Sequence, residues 1–94
     1  MEEITITEKY DEYKTNFLYH KNGDKISTIR YKNNKIDGIK EKYYPANRLK
    51  SSTPYKNGKK NGIETHYSPN GDILRKITYK YGRKIKEQSF ENKE

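Results

Sequence analysis

From Tyr19 onward the chain alternates in polarity over short runs separated by turn residues. Ile63, Thr65 and Tyr67 share one parity, and Glu64, His66 and Ser68 share the other. Ile73, Ile77 and Tyr79 keep the first parity, with Arg75 breaking the row. Period-two alternation of this length predicts half-buried β-strands. Asn-Gly stands between such runs at Asn22, Asn57, Asn61 and Asn70. That dipeptide accepts the positive φ of tight hairpin turns. Ile29, Tyr31, Ile39, Tyr43, Leu49, Tyr55, Ile63, Tyr67, Ile73, Ile77 and Tyr79 are all odd-numbered. Unless a bulge shifts the register, they are expected to form one apolar stripe on one sheet face.

The pattern repeats. Tyr31, Tyr55 and Tyr79 are spaced by 24, as are Tyr19, Tyr43 and Tyr67. The best-formed unit, 55–78, reads YKNGKKNGIETHYSPNGDILRKIT; the unit before it, 31–54, reads YKNNKIDGIKEKYYPANRLKSSTP. Gly38 aligns with Gly62, Ile39 with Ile63, Pro45 with Pro69 and Leu49 with Ile73. Residues 19–30 match the second half of a unit, and 79–86 begin a further, partial copy. The predicted fold is all-β: an elongated antiparallel meander of repeated β-hairpins, curled into a single-layer sheet of about six to eight strands. Residues 1–18 read as an acidic leader or cap. Its EITIT segment alternates like an edge strand, while Ile6, Tyr10, Tyr13 and Phe17 also fit a helical stripe. Residues 87–94 read as a polar tail that frays.

These residues carry a family resemblance. Tyr-x-Asn-Gly-x-x-x-Gly followed by Tyr-x-x-Asn-Gly, best seen from Tyr55 to Tyr79, resembles the MORN repeat variant of the YwqK-like antitoxin type. The resemblance covers about Tyr19 to Gly82. Asn34 and Asn47 stand at turn glycine positions, and Glu64 replaces the second glycine of the usual MORN unit. The resemblance implies stacked hairpins in one long sheet, no catalysis and an interaction role. An antitoxin function, and phospholipid binding for some members, are part of what it suggests.

Composition changes the picture in two ways. Ile, Leu and Phe number 15 of 94 residues, with no Val, and charged residues make up 36%. Such a chain is short of apolar area to offset chain entropy. The ten tyrosines supply what is missing. Tyr19, Tyr31, Tyr43, Tyr55, Tyr67 and Tyr79, with Ile39 and Ile63, are the expected structural stripe. No apolar run approaches the roughly 20 residues of a membrane span. Met1 is followed by two glutamates rather than a secretory signal, so a cytoplasmic location is expected. Cysteine is absent, which removes disulfides and thiol chemistry.

The net charge of +8 divides into −4 over residues 1–12 (five acids, one Lys) and +12 over residues 13–94 (20 basic, 8 acidic). Arg30, Lys40, Lys42, Lys50 and Lys76 are even-numbered, opposite the predicted stripe, and Lys32, Lys56 and Lys80 each follow a repeat tyrosine. With Tyr44 and His66 they are the expected partner-binding face, which would hold a sustained positive potential. A solvated face that keeps the sheet soluble is the plainer alternative. The expected partner is an acidic protein surface or a protein–nucleic acid complex, with the protein acting as an antitoxin or inhibitor that docks and blocks a nuclease-like target. Non-specific nucleic-acid binding is the second reading, with Tyr44, Tyr81 and His66 stacking on bases. A structural adaptor or an anionic lipid surface is the third, and self-association through sheet edges is also open. The acidic leader could cover the basic face in the same molecule.

Catalytic chemistry finds no support. His20 and His66 lie in non-equivalent halves of the repeat, and no HExxH, EF-hand, P-loop or dinucleotide fingerprint occurs. The serines have no His/Asp arrangement around them, and the carboxylates are scattered. No enzyme activity, cofactor or metal is expected, and the glycines read as hairpin turns.

Overall fold

The computed structural model describes residues 2–90. Ten strands follow in chain order: β1 (Glu3–Tyr10), β2 (Tyr13–His20), β3 (Lys25–Lys32), β4 (Lys35–Ile36), β5 (Gly38–Tyr44), β6 (Arg48–Lys56), β7 (Lys59–Lys60), β8 (Gly62–Tyr67), β9 (Ile73–Lys80) and β10 (Arg83–Ser89). They form one antiparallel sheet in the order β1-β2-β3-β5-β6-β8-β9-β10. The two-residue strands β4 and β7 pair with β3 and β6. The sheet measures 40 × 34 × 20 Å, a single curled layer. This is the all-β hairpin meander that the repeat predicts.

Two kinds of turn alternate along it. At one end, Asn33-Asn34, Asn57-Gly58 and Tyr81-Gly82 adopt positive φ at both positions (51° and 66°, 51° and 84°, 51° and 84°), as two-residue hairpin turns require. At the other end three-residue turns close at His20, Tyr44 and Ser68. His20 N–H donates to the Asp24 carbonyl and Ser68 N–H to that of Asp72, both at 2.8 Å. Each three-residue turn is followed by one extra residue, Ile26, Lys50 or Leu74, where the pairing register shifts by one. The bulges therefore share the 24-residue period of the sequence.

The repeats are stapled to one another at their turns. Asp37 Oδ2 accepts from the Asn57 N–H at 3.2 Å, and one period later Asn61 Oδ1 accepts from the Tyr81 N–H at 3.1 Å. The Gly58 and Gly82 N–H groups donate to the carbonyls of Ile36 and Lys60. At the opposite end Tyr44 OH donates to the Tyr67 carbonyl at 2.8 Å, and Asn47 Oδ1 accepts from the Lys25 N–H at 2.8 Å.

Residues paired across strands point to the same side of a sheet, so the register assigns every strand side chain to a face. One face, here the inner, holds Ser51, Thr53 and Ile77 at 6% exposure and Glu64 at 7%. The other, the outer, holds Ile4, Ile6, Ile39, Ile63 and Ile73, all 37–53% exposed. Ile77 is the one buried hydrophobic side chain among the described residues. A single layer has no second sheet to cover it. Its apolar contact is spread over half-buried tyrosines and the aliphatic stems of basic residues lying across them.

This register corrects the single-stripe expectation. Tyr31, Tyr55 and Tyr79 lie on the inner face with Ile29 and Ile77. Tyr19, Tyr43 and Tyr67 lie on the outer face with Ile39, Leu49, Ile63 and Ile73. The reason is arithmetic in the turns. A two-residue turn pairs Lys56 with Lys59, and the numbers of each facing pair in that ladder then sum to an odd value. Odd positions of one strand therefore face even positions of the next. The three-residue turns would restore equal parity, but the bulge after each one removes it again.

The N-terminal segment is a hairpin of β1 and β2, not a helix. Nor does it fold over the basic residues; it extends the sheet sideways. Of its acids Glu12 reaches Lys32 at 3.5 Å and Glu2 reaches Lys21 at 3.2 Å. Residues 87–89 belong to β10 rather than to a frayed tail, and 91–94 lie outside the described residues.

Candidate interaction faces

The ten residues expected on one basic face divide between two. Arg30, Lys32, Lys56, Lys76 and Lys80 are outer; Lys40, Lys42, Tyr44 and His66 are inner. Lys50 is a bulge residue whose ammonium lies 5.5 Å from the centre of the inner Tyr44 ring.

On the outer face the basic residues form a ladder at the two-residue turns. Lys32 faces Lys35, Lys56 faces Lys59, and Lys80 faces Arg83. Successive pairs are two strands apart, about 10 Å. Lys35, Lys59 and Arg83 were absent from the sequence expectation, although their 24-residue spacing was a sufficient signal. Like charges directly opposite across a hairpin destabilise it. Glu12 reaches one member, Lys32; the other five have no carboxylate within 4 Å among the described residues. Arg30 is committed elsewhere. Its Nε donates to the Asp37 carbonyl at 2.8 Å, and its guanidinium lies 4.2 Å from the Tyr13 ring centre.

Beside the ladder stand Ile39 and Ile63, about half exposed. Further along the strands an apolar row crosses the outer face: Ile4 faces Tyr19, Tyr43 faces Leu49, and Tyr67 faces Ile73. Lys25, opposite Tyr19, lies 4.9 Å over the Tyr43 ring. Burial, followed by the hydrogen bond to the Glu41 carboxylate at 2.9 Å, holds the Tyr43 hydroxyl above its ordinary pKa. Leu49 and Tyr67 line a hollow of about 510 Å³ with Arg48, Pro69 and the turn at Asn70-Gly71.

The inner face is more closed and more polar. Glu64 sits between Lys60 Nζ at 2.9 Å and His66 Nε2 at 2.6 Å. Burial pushes the Glu64 carboxyl upward, but the hydrogen bonds from Lys60 and His66 outweigh it and hold it below the usual carboxylate range. The same bond to Glu64 raises the Lys60 ammonium. His66 is thus engaged with its neighbour rather than presented to solvent. One repeat earlier, Lys40, Lys42 and Lys50 surround a hollow of about 360 Å³.

Among the described residues no group of three His, Asp or Glu side chains could hold a metal ion. No helix there is long and apolar enough to cross a membrane. What the geometry offers is two large chemically distinct faces, the form that repeat sheets give to binding surfaces.

No curated protein and no solved structure matches this chain. Family models give a positive finding: residues 36–57 and 60–81 match the MORN repeat variant. The two segments are offset by 24 residues, the period of the turns, bulges and staples, so two adjacent repeats of this chain are similar to the MORN repeat variant.

Proposed function

We propose that this protein is a non-enzymatic docking module of the antitoxin or inhibitor type, which binds an acidic surface of another protein through its outer face. The observation that carries this reading is the ladder of three facing cation pairs, Lys32–Lys35, Lys56–Lys59 and Lys80–Arg83, beside the exposed Ile39 and Ile63. The pairs work against hairpin stability, so they mark a surface shaped by a partner. Charge steers encounter and fixes register, while half-exposed isoleucines and tyrosines give anchors to desolvate. Ladder steps of about 10 Å suit a surface that presents carboxylates repeatedly. A protein–nucleic acid complex would satisfy the same ladder, because its exposed phosphates present negative charge repeatedly.

The test is affinity capture from the native cell, followed by titration of the identified partner with wild type and with K56E/K59E/K80E. A fixed stoichiometry with the wild type and a loss of at least tenfold in the variant is the expected result. A mobility shift with arbitrary RNA or DNA that collapses between low and physiological salt, with no protein partner, would replace this reading by backbone-led nucleic-acid binding.

A further inference from the structure

We infer that this chain associates head to tail with further copies of itself, the β10 edge of one copy adding to the β1 edge of the next as a continued antiparallel sheet.

Both edges are open. Among the described residues β1 and β10 each pair on one side only, and every residue of the two strands is exposed. β1 keeps an unbroken register with β2 over eight residues and contains no proline and no bulge. Those are the devices that usually stop an edge from accepting another strand. Ile4 and Ile6 on β1 are 47% and 49% exposed, and Phe90 just beyond β10 is 42% exposed. β10 has its bulge at Ile85, after which residues 86–89 pair regularly with β9.

The geometry of the two edges matches. Eight strands lie on the path from β1 to β10, each antiparallel to its neighbour, so the two edge strands run in opposite directions. A copy displaced sideways, with its faces unchanged, therefore lays its β10 antiparallel to the next β1. Backbone groups of alternate residues point to alternate sides of a strand. Tyr10 and Tyr13 close a two-residue turn, so the even residues of β1 bond to β2, leaving Thr5 and Thr7 to point outward. The Phe90 N–H donates to the Leu74 carbonyl on β9 at 2.8 Å, so Glu87 and Ser89 point outward from β10. Facing Thr7 with Glu87 and Thr5 with Ser89 joins these free groups and keeps inner residues on the inner side. On the outer side the same register sets Glu8 opposite Lys86, Ile6 opposite Gln88 and Ile4 opposite Phe90.

Charge selects this pairing over the alternatives. Residues 1–12 carry −4, whereas β10 has three basic residues and one acid, a net +2. Like edges repel, so β1 disfavours β1 and β10 disfavours β10, while the unlike pair attracts. Glu8 and Lys86 have no oppositely charged partner within 4 Å among the described residues, which leaves both for the junction. Assembly would carry the outer ladder along a longer sheet.

The test is sedimentation velocity on the full chain over a concentration series. The wild-type sedimentation coefficient should rise with concentration and fall back as salt goes from about 0.05 M to about 0.5 M, since exposed charge pairs are screened. E8K and K86E each set like charges opposite at every junction and should weaken association at least tenfold. Mixed one to one they should recover it, because each junction between unlike chains regains an opposite pair. Both positions are exposed, so folding should be unimpaired, which circular dichroism verifies. Thr5→Pro and Ser89→Pro each remove an N–H that bonds only across the junction. Each should be monomeric alone, and the mixture should stop at a one-to-one dimer. K56E/K59E should assemble as wild type does, so the docking reading and this one fail separately. A wild type that stays monomeric throughout, association unchanged in K86E or Ser89→Pro, or no dimer in the proline mixture overturns the inference.

Discussion

Lys56 and Lys59 face each other directly across the Asn57-Gly58 turn, two cations held in register by one of the tightest hairpins in the sheet. The same relationship recurs one period away on either side, at Lys32–Lys35 and Lys80–Arg83. A sheet selected only to fold would place opposite charges there. The docking role proposed for this ladder can be separated from its effect on stability by mutation.

Replacing Lys59 by Glu converts the facing pair from like to opposite charge. The hairpin should become more stable by about 0.2–1 kcal/mol, since cross-strand ion pairs fall in that range. Partner affinity should drop at the same time. Thermal unfolding and partner titration of K59E, measured in one buffer, check the two effects. A fall in both would mean that Lys59 supports the fold instead.

Tyr81 occupies the turn position held by Asn33 and Asn57 in the other copies, with φ at 51° and 70% of its surface exposed. A bulky side chain in the left-handed region costs roughly 1–2 kcal/mol, which Asn tolerates better. Tyr81→Asn should therefore raise the unfolding free energy by about 1 kcal/mol, read by urea titration. If it also weakens partner binding, Tyr81 serves as an exposed anchor at the end of the ladder.

Gly62 has φ at 122°, and a Cβ placed on it would lie 2.8 Å from Pro54 Cγ. The proline ring cannot swing away. Gly62→Ala should cost about 2 kcal/mol, combining backbone strain with overpacking. Gly23→Ala should cost less, because a Cβ there meets nothing within 4 Å although φ is 97°. Parallel denaturation of the two variants tests the ranking.

Glu64 is held below the usual carboxylate range in the folded state, the hydrogen bonds from Lys60 and His66 overcoming the effect of burial. A group whose folded pKa is depressed contributes stability above its unfolded pKa and loses it as pH falls through the folded one. Acidification below the ordinary carboxylate range should therefore destabilise the wild type more than E64Q. Lys60, raised by the same contact, contributes with the opposite sign: its share is lost as pH climbs past the ordinary lysine range. At neutral pH E64Q should be less stable by about 1–3 kcal/mol, as expected for a buried hydrogen-bonded group. Unfolding curves from pH 3 to 8 for both proteins make the comparison.

Much of this molecule is written in its residue order. The 24-residue spacing of tyrosines, the Asn-Gly turns and the alternation of Ile63, Thr65 and Tyr67 specify the repeated hairpins and their order along one sheet, while the β1–β2 hairpin and the full length of β10 were not legible there. These features are local, fixed by turn chemistry and side-chain period, and repetition makes them legible. Asn34 and Asn47 could be read as turn residues because they stand where other copies place glycine, and both have positive φ.

Which residues share a face was decided by the tertiary structure. It depends on the sum of two residue numbers across each strand pair, hence on the exact length of every turn and on single-residue bulges at Ile26, Lys50 and Leu74. One residue inserted into a ladder sends every later side chain to the other side, and no composition or periodicity reports it. Thus Tyr43 and Tyr55, twelve residues apart and of equal parity, lie on opposite faces. Lys42 and Lys76, both even, serve different surfaces, and Lys50 joins Lys40 and Lys42 only because a bulge turns it inward.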